Sequence, residues 1–155
     1  MAKLFTAQTW NIDNLEGIST KTMSQHIELY NGYVKNANLI LEHIAELSKD
    51  TDKYSYEIGE LRRRFAFEFD GMRNHEYYFN SFVGGQKEID TESSLYKKIV
   101  EDFGSFENWI DTFKTLSLTR SIGWAMLYYD KQTNQLLNSW VDEQHLGQLT
   151  GLAPI

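Results

Sequence analysis

The sequence contains no cysteine. This absence excludes disulfides, thiolate metal sites and cysteine nucleophiles, so any bound metal must take nitrogen and oxygen ligands. Basic residues are also in the minority: 15 Lys and Arg against 22 Asp and Glu give a formal net charge of −7. Because binding to phosphates needs a basic face, we expect no nucleic-acid partner.

Long apolar runs are missing as well. The opening segment MAKLFTAQTWNIDNLEG lacks the apolar core of a secretory signal. No stretch approaches the roughly 20 apolar residues that a membrane-spanning helix requires. We therefore expect a soluble, cytoplasmic protein with no membrane partner. The 155 residues are enough for one domain, or for two small layers that share a core.

Several catalytic motifs are absent too. The sequence has no GxSxG, and the Gly84-Gly85 pair lacks the Gly-Lys-Ser signature of a phosphate-binding loop. It also has no HExxH and none of the ExxH pairs of di-iron helix bundles. These absences argue against acyl transfer, phosphoryl transfer and di-iron chemistry.

Two long helices are indicated in the first half of the chain. The first begins at Ser19 or Thr20 and ends at the polar run SKDTDK, residues 48–53. Its apolar residues alternate at spacings of four and three, which is typical of a packed helix pair: Met23, Ile27, Tyr30, Val34, Ala37, Leu41 and Ile44. The second runs from about Tyr54 to Phe82 and is ended by Gly84-Gly85. The short connector predicts an antiparallel hairpin.

The second half changes character. Residues 92–103 predict a short helix, and FENWIDTFKTLSL predicts another that ends near Leu118. The segments GWAMLYYD and QLLNSWV, joined by the polar turn KQTN, predict a β-hairpin. We therefore predict an α+β fold, with an N-terminal antiparallel helical hairpin over residues 1–86 and a C-terminal α/β domain over residues 87–155.

Four histidines are present: His26, His43, His75 and His145. His26 borders the apolar seam of the first helix, and His75 holds an inward position on the second. In an antiparallel hairpin the two imidazoles come to a similar height and can face each other across a metal ion. Two hydrogen-bonded core histidines are the alternative, and spacing alone leaves both open. Asp142 and Glu143, beside His145, could also ligate a metal, but this pattern favours a solvated turn.

Three segments in order resemble a known family. KTMSQHIELYNGYVKNAN (residues 21–38), NHEYYF (74–79) and FGSFENWIDTFKT…IGWAMLYY (103–129) are similar to successive parts of the iron/manganese superoxide dismutases. The resemblance covers roughly residues 18–155. It implies an antioxidant oxidoreductase that converts superoxide to oxygen and hydrogen peroxide, with one manganese or iron ion, as a homodimer at full length.

The resemblance also implies roles for particular residues. His26 and His75 would be the first and second metal ligands, and Tyr33 would line the substrate funnel. Trp124 matches the first tryptophan of a GWxW wall whose second tryptophan is Met126 here. Phe79 stands where an aromatic residue packs against the site.

A glutamine that hydrogen-bonds metal-bound solvent in this family comes either from the second helix or from the β-hairpin. The helix position is Gly71 here, and the hairpin position is Gln144. This pattern favours manganese over iron. A one-residue shift would place His145 there instead, as in some iron or dual-metal members.

The sequence departs from the family in two places. The interval from His26 to Tyr33 is one residue short and has Leu29 and Tyr30 in place of a further histidine. The family's DxWEH motif, which carries the last two ligands, would follow GLAPI, where this chain stops. The resemblance then implies an incomplete C-terminal domain and a chain that is impaired or inactive alone. The alternative is a non-catalytic helical interaction protein that keeps the fold without metal.

Overall fold

A computed structural model describes residues 3–12, 15–85 and 87–155. The chain divides into two compact units, residues 1–86 and 87–155. The first is helical, and the second combines two helices with an antiparallel sheet. The predicted α+β class is confirmed. No helix in the described ranges is both long enough and apolar enough to cross a membrane.

The helical unit is a hairpin of α1, Thr20–Leu47, and α2, Ser55–Asn80, joined through a short 3-10 turn at Ser48–Asp50. Ser19 caps α1 by accepting a hydrogen bond from the backbone N–H of Thr22. Four residues of the predicted seam, Met23, Ile27, Tyr30 and Val34, pack with residues of α2, and Ala37 is buried as well. The buried cluster consists of Met23, Tyr30, Val34, Met72 and Phe79.

Helix α2 ends two residues earlier than predicted. Its last turn tightens, since the Ser81 N–H reaches the carbonyl of Tyr78, three residues back, as well as that of Tyr77. Gly84 (φ 86°) and Gly85 (φ 69°) then reverse the chain in a left-handed conformation. The glycine pair therefore forms the turn after the helix and not its final cap.

The described leader, residues 3–12, is irregular and is tied to both helices. The side-chain amide of Asn38 accepts from Phe5 N at 2.7 Å and donates to Phe5 O at 2.8 Å. The Gln8 N–H donates to Tyr30 Oη at 2.8 Å. The Trp10 indole donates to Asn80 Oδ1 at 2.7 Å. These bonds hold the leader across the hairpin.

The second unit contains α3, Ser94–Phe103, and α4, Phe106–Ser117, followed by strands β1, Gly123–Asp130, β2, Gln135–Asp142, and β3, Ala153–Pro154. The sheet order is β2-β1-β3 with antiparallel pairs. The hairpin was predicted and β3 was not, because two residues that include a proline carry no strand signal. Ser93 and Ser105 cap the two helices.

Strand alternation gives the sheet two apolar faces. Leu127 and Leu136 pack with Ile99 and the aromatic residues of α3 and α4. The opposite face forms a separate cluster of Met126, Tyr128 and Val141, against which Trp124, Leu149 and Leu152 pack. The residues that precede β3 therefore cover the face of the sheet that α3 and α4 leave open.

Asp102 joins α3 to the start of β2. One carboxylate oxygen accepts from Lys98 Nζ at 2.8 Å, and the other accepts from the backbone N–H of buried Leu136 at 2.7 Å. Because Asp102→Ala leaves that N–H without its acceptor, we expect a loss of about 1–3 kcal/mol of unfolding free energy in urea titrations. The control Asp111→Ala, at an exposed position of α4, should change it by less than about 0.5 kcal/mol. Equal effects of the two variants would contradict this role.

Candidate metal centre

His75 is buried in the last turns of α2, with 1% of its surface exposed. Its Nδ1 lies 2.6 Å from the carbonyl oxygen of Gly71, one helical turn back. A carbonyl can only accept, so Nδ1 carries the proton and the ring's lone pair is on Nε2. Metal-binding histidines are commonly held in this way, with one ring nitrogen bonded to a carbonyl and the other directed at the ion.

His26 of α1 faces His75. The ring centroids are 4.8 Å apart and the rings are nearly perpendicular, at 81°. The antiparallel hairpin brings the start of α1 to the end of α2, as the sequence predicted. The two imidazoles are therefore close enough to act on one small ligand together.

Aromatic rings surround this pair. Tyr78 and Phe79 lie 5.0 and 5.3 Å from the His26 ring, and Tyr33 lies 5.2 Å from the His75 ring. Phe79 is fully buried and also contacts His75, at 6.0 Å. These side chains shield His75 from water almost completely and His26 in part, which explains why NHEYYF combines a histidine with so many rings.

Burial controls the protonation of both histidines. Desolvation lowers the pKa of His75 to about 4, against the opposing effect of its hydrogen bond to Gly71; the nearby His26 lowers it further. Desolvation also lowers the pKa of His26. Both rings are therefore neutral at pH 7, the state in which imidazole binds a metal.

Tyr33 occupies the space beside Gly71. A Cβ built on Gly71 would lie 2.6 Å from Cδ1 and 2.7 Å from Cε1 of the Tyr33 ring. The helix position that the resemblance assigns to a glutamine therefore has no room for a side chain unless Tyr33 moves.

A surface cavity of about 200 Å³ opens beside Tyr33, and its wall carries charged residues that the sequence did not single out. The Arg64 guanidinium lies 3.8 Å from the centroid of the Phe67 ring and pairs with buried Glu68 at 2.9 Å. Arg64 and Glu68 are four residues apart, and Glu68 lies seven residues before His75 on the same helix. This spacing is the sequence signal that could have indicated the pair. Arg64 therefore places a positive charge in the wall of the cavity beside Tyr33, although the chain as a whole is acidic.

In the second unit, the Trp124 indole donates to Gln144 Oε1 at 2.8 Å. Gln144 is buried, with 7% exposed, and follows Glu143, whose φ of 51° is left-handed. His145 is half-buried beside it, and Met126 is buried on the Trp124 face of β1. The sequence left Gln144 and His145 as alternatives for the hairpin position. They differ in the structure, because the Trp124 indole donates its hydrogen bond to Gln144.

The donor set within the described ranges is small. Those residues contain no group of three or more His, Cys, Asp or Glu side chains placed to hold a metal ion. His43 is exposed on α1. The His26–His75 pair supplies two neutral imidazole nitrogens, a ligand type that suits iron and related transition metals. These residues fit part of a metal site.

The contact between Gly71 and Tyr33 can be tested by adding one methyl group. We expect Gly71→Ala to lower the unfolding free energy by about 1–3 kcal/mol, because the new Cβ overlaps the Tyr33 ring. Gly59→Ala is the matched control on the same helix, since a Cβ there meets nothing within 4 Å. It should raise the unfolding free energy by about 0.5–1 kcal/mol. If both variants shift urea denaturation in the same direction, Tyr33 does not confine Gly71.

The low pKa of His75 predicts a pH-dependent stability. Above about 6.5, the imidazole is neutral in the folded and unfolded chains alike. As the pH falls toward the folded pKa of about 4, the unfolded chain takes up a proton that the folded chain refuses. Stability should therefore fall by up to about 1.4 kcal/mol per pH unit over this window.

Urea titrations at pH 7.0 and pH 5.5 measure this loss. His75→Gln removes the titrating group and should flatten the dependence. An equal slope in both proteins would show that His75 does not cause it.

This chain is similar to known proteins of one family. Residues 91–155 match a family model described as the C-terminal domain of iron/manganese superoxide dismutases. The chain is 35% identical over 148 residues to a superoxide dismutase [Fe] of Aquifex aeolicus, covering 92% of this chain and 68% of that protein. It is 32% identical over 141 residues to superoxide dismutase [Mn] 2 of Haloferax volcanii, covering 89% and 68%.

A superoxide dismutase [Fe] of Tetrahymena pyriformis is 30% identical over 135 residues, which cover 84% of this chain and 68% of that relative. The likeness thus extends over both units and includes relatives named for either metal. The chain belongs to the iron/manganese superoxide dismutase family.

Proposed function

We propose that this chain contributes to the conversion of two superoxide ions and two protons into oxygen and hydrogen peroxide. The observation that carries the proposal is the pair of neutral imidazoles, buried His75 and half-buried His26, whose rings face each other at 4.8 Å. Family membership supplies the reaction, and the pair supplies a place for the metal. The relatives' names include both iron and manganese enzymes.

His26 and His75 would hold the ion, with Nε2 of His75 as its binding atom because Nδ1 is engaged by Gly71. The bound metal would supply two oxidation states, so that it can accept an electron from one superoxide and return it to another. The surrounding rings of Tyr33, Tyr78 and Phe79 would keep water and larger molecules away from it.

Tyr33 and Arg64 would control the approach of the substrate. Both line the cavity of about 200 Å³, a size that admits a diatomic anion and a few waters. The exposed part of the Arg64 guanidinium offers a positive charge on an otherwise acidic protein. It would attract superoxide locally, although Glu68 offsets part of its charge.

The family resemblance implies that Gln144 and Trp124 act on metal-bound solvent. A donor amide near bound solvent shifts the acidity of that solvent and so the potential of the metal. The tight contact at Gly71 supports a donor from the hairpin, Gln144, over one from the helix. It favours manganese for this chain, with His145 as the competing residue for the same role.

Residues 1–155 include two of the four protein ligands that the resemblance implies. Loss of a single outer contact can reduce metal affinity or activity by about 10–100-fold, so two imidazoles without further direct ligands should hold an ion only weakly. We propose that the His26–His75 pair by itself binds manganese or iron weakly and supports little activity. A longer protein that adds an aspartate and a third histidine would be a homodimeric, cytoplasmic enzyme.

Titration with Mn²⁺ tests the metal role directly. Because Mn²⁺ is paramagnetic, even weak binding should broaden the imidazole proton resonances of His26 and His75 first. His26→Ala and His75→Ala should each abolish the broadening of the partner ring, while His43→Ala, at an exposed position of α1, should leave it unchanged. A cytochrome c reduction assay on the same samples measures dismutation.

Two outcomes would contradict the proposal. Broadening that survives His75→Ala would remove His75 from the metal site and favour a non-catalytic helical interaction protein. Stoichiometric metal binding with rapid turnover by residues 1–155 would show that a site with these two histidines does not bind the metal weakly.

A further inference from the structure

Four side chains around the end of β2 form a chain of hydrogen bonds. Trp124 Nε1 donates to Gln144 Oε1 at 2.8 Å. Gln148 Nε2 donates to the backbone carbonyl of Gln144 at 3.3 Å. The hydroxyl of Tyr128 donates to Gln148 Oε1. Gln144 is therefore held at two points, through its side chain and through its main chain.

The chemistry of the partners fixes every proton in this chain. An indole N–H can only donate, so the amide atom of Gln144 that faces Trp124 must be the oxygen. A backbone carbonyl can only accept, so the atom of Gln148 that faces it must be Nε2. Its Oε1 then faces Tyr128, which must donate. This hydrogen-bond network has one proton arrangement.

The network lies in a part of the fold that resists rearrangement. Tyr128 is 1% exposed and Gln144 is 7% exposed. Breaking a hydrogen bond of a buried group costs about 1–3 kcal/mol, so a reversed Gln144 amide is strongly disfavoured. The loop is also closed by its backbone, because Asp142 N donates to Leu146 O at 2.8 Å and Leu146 N donates to Asp142 O at 3.2 Å.

Strand geometry explains how one loop meets two donors. Trp124 and Tyr128 are four residues apart on β1 and share a face of the sheet. Leu149, which packs on the same face, keeps the segment that carries Gln148 against it. Trp124 thus reaches the side chain of Gln144, and Tyr128 reaches its backbone carbonyl through Gln148.

We infer that Tyr128 and Gln148 are positioning residues for Gln144: they hold its main chain at the point where the Trp124 indole can orient its side-chain amide. The inference rests on the proposed function only where it says what the orientation of Gln144 is for. If Gln144 acts on metal-bound solvent, Tyr128 and Gln148 position it without contacting the solvent or the metal. Neither residue stood out in the sequence, because a tyrosine in a strand and a glutamine in a loop are both unremarkable alone.

Single-atom substitution separates positioning from packing. Tyr128→Phe keeps the buried ring and removes only the hydroxyl. Tyr129→Phe is the matched control, since it removes a hydroxyl from the next residue, which donates to Asn134 Oδ1 at 2.8 Å in an exposed turn. Gln148→Met is a second test, at a half-buried position, and removes both ends of the amide at similar length.

The readout is the Trp124 indole N–H in ¹⁵N-correlated NMR spectra of the metal-free chain. We expect Tyr128→Phe and Gln148→Met to move this resonance upfield and to speed its hydrogen exchange by about three- to tenfold, the range expected for one hydrogen bond. The Trp109 indole, which donates to Asn138 Oδ1 at 3.2 Å, serves as the internal reference and should not change.

The inference is wrong if Tyr128→Phe and Gln148→Met alter the Trp124 resonance no more than Tyr129→Phe does. If Tyr128→Phe prevents folding, Gln148→Met alone decides. Because the measurement needs no metal, it is independent of the proposed function. A dismutation assay that fails leaves this result standing, and an unaltered Trp124 resonance leaves the metal role of the histidines standing.

Discussion

The hydrogen bond between His75 Nδ1 and the Gly71 carbonyl, at 2.6 Å, is the contact on which the helical unit's chemistry depends. It selects one tautomer and fixes the imidazole against its own helix, where desolvation keeps the ring neutral. The same glycine lacks the side chain that would displace Tyr33. One backbone position therefore couples the protonation of a histidine to the placement of a phenol ring, and a change at Gly71 would disturb both.

The rings around the histidines need support of their own, and polar groups behind them provide it. Trp10 packs on Phe79, and its indole N–H donates to Asn80 at 2.7 Å. The leader therefore supports Phe79, one of the rings beside the imidazoles. Next to His75, buried Glu76 accepts hydrogen bonds from Tyr30 at 3.2 Å and from Arg73 at 2.5 Å. These two hydrogen bonds offset the cost of burying the Glu76 carboxylate. The neutral His75 ring next to it carries no charge that could do so.

The sequence predicts what depends on local periodicity. The seam from Met23 to Ala37 and the alternation in β1 place both helices and the β-hairpin, and His26 and His75 follow because an antiparallel hairpin leaves them few other positions. Contacts between residues distant in sequence were not predictable in this way. Trp10 has no pattern that marks it as the partner of Phe79, and the link from Tyr128 to Gln148 spans 20 residues and a turn. Only the folded chain brings such pairs together.

The two units share a physical device. In each, a polar group whose orientation matters is paired with a partner that cannot exchange roles: a carbonyl, which only accepts, for His75, and an indole, which only donates, for Gln144. A hydroxyl or an amide in either place would permit two proton arrangements of similar energy. A partner with one role removes the second arrangement at no cost in flexibility elsewhere. A group held in a single arrangement needs no change of hydrogen-bond partners before it acts.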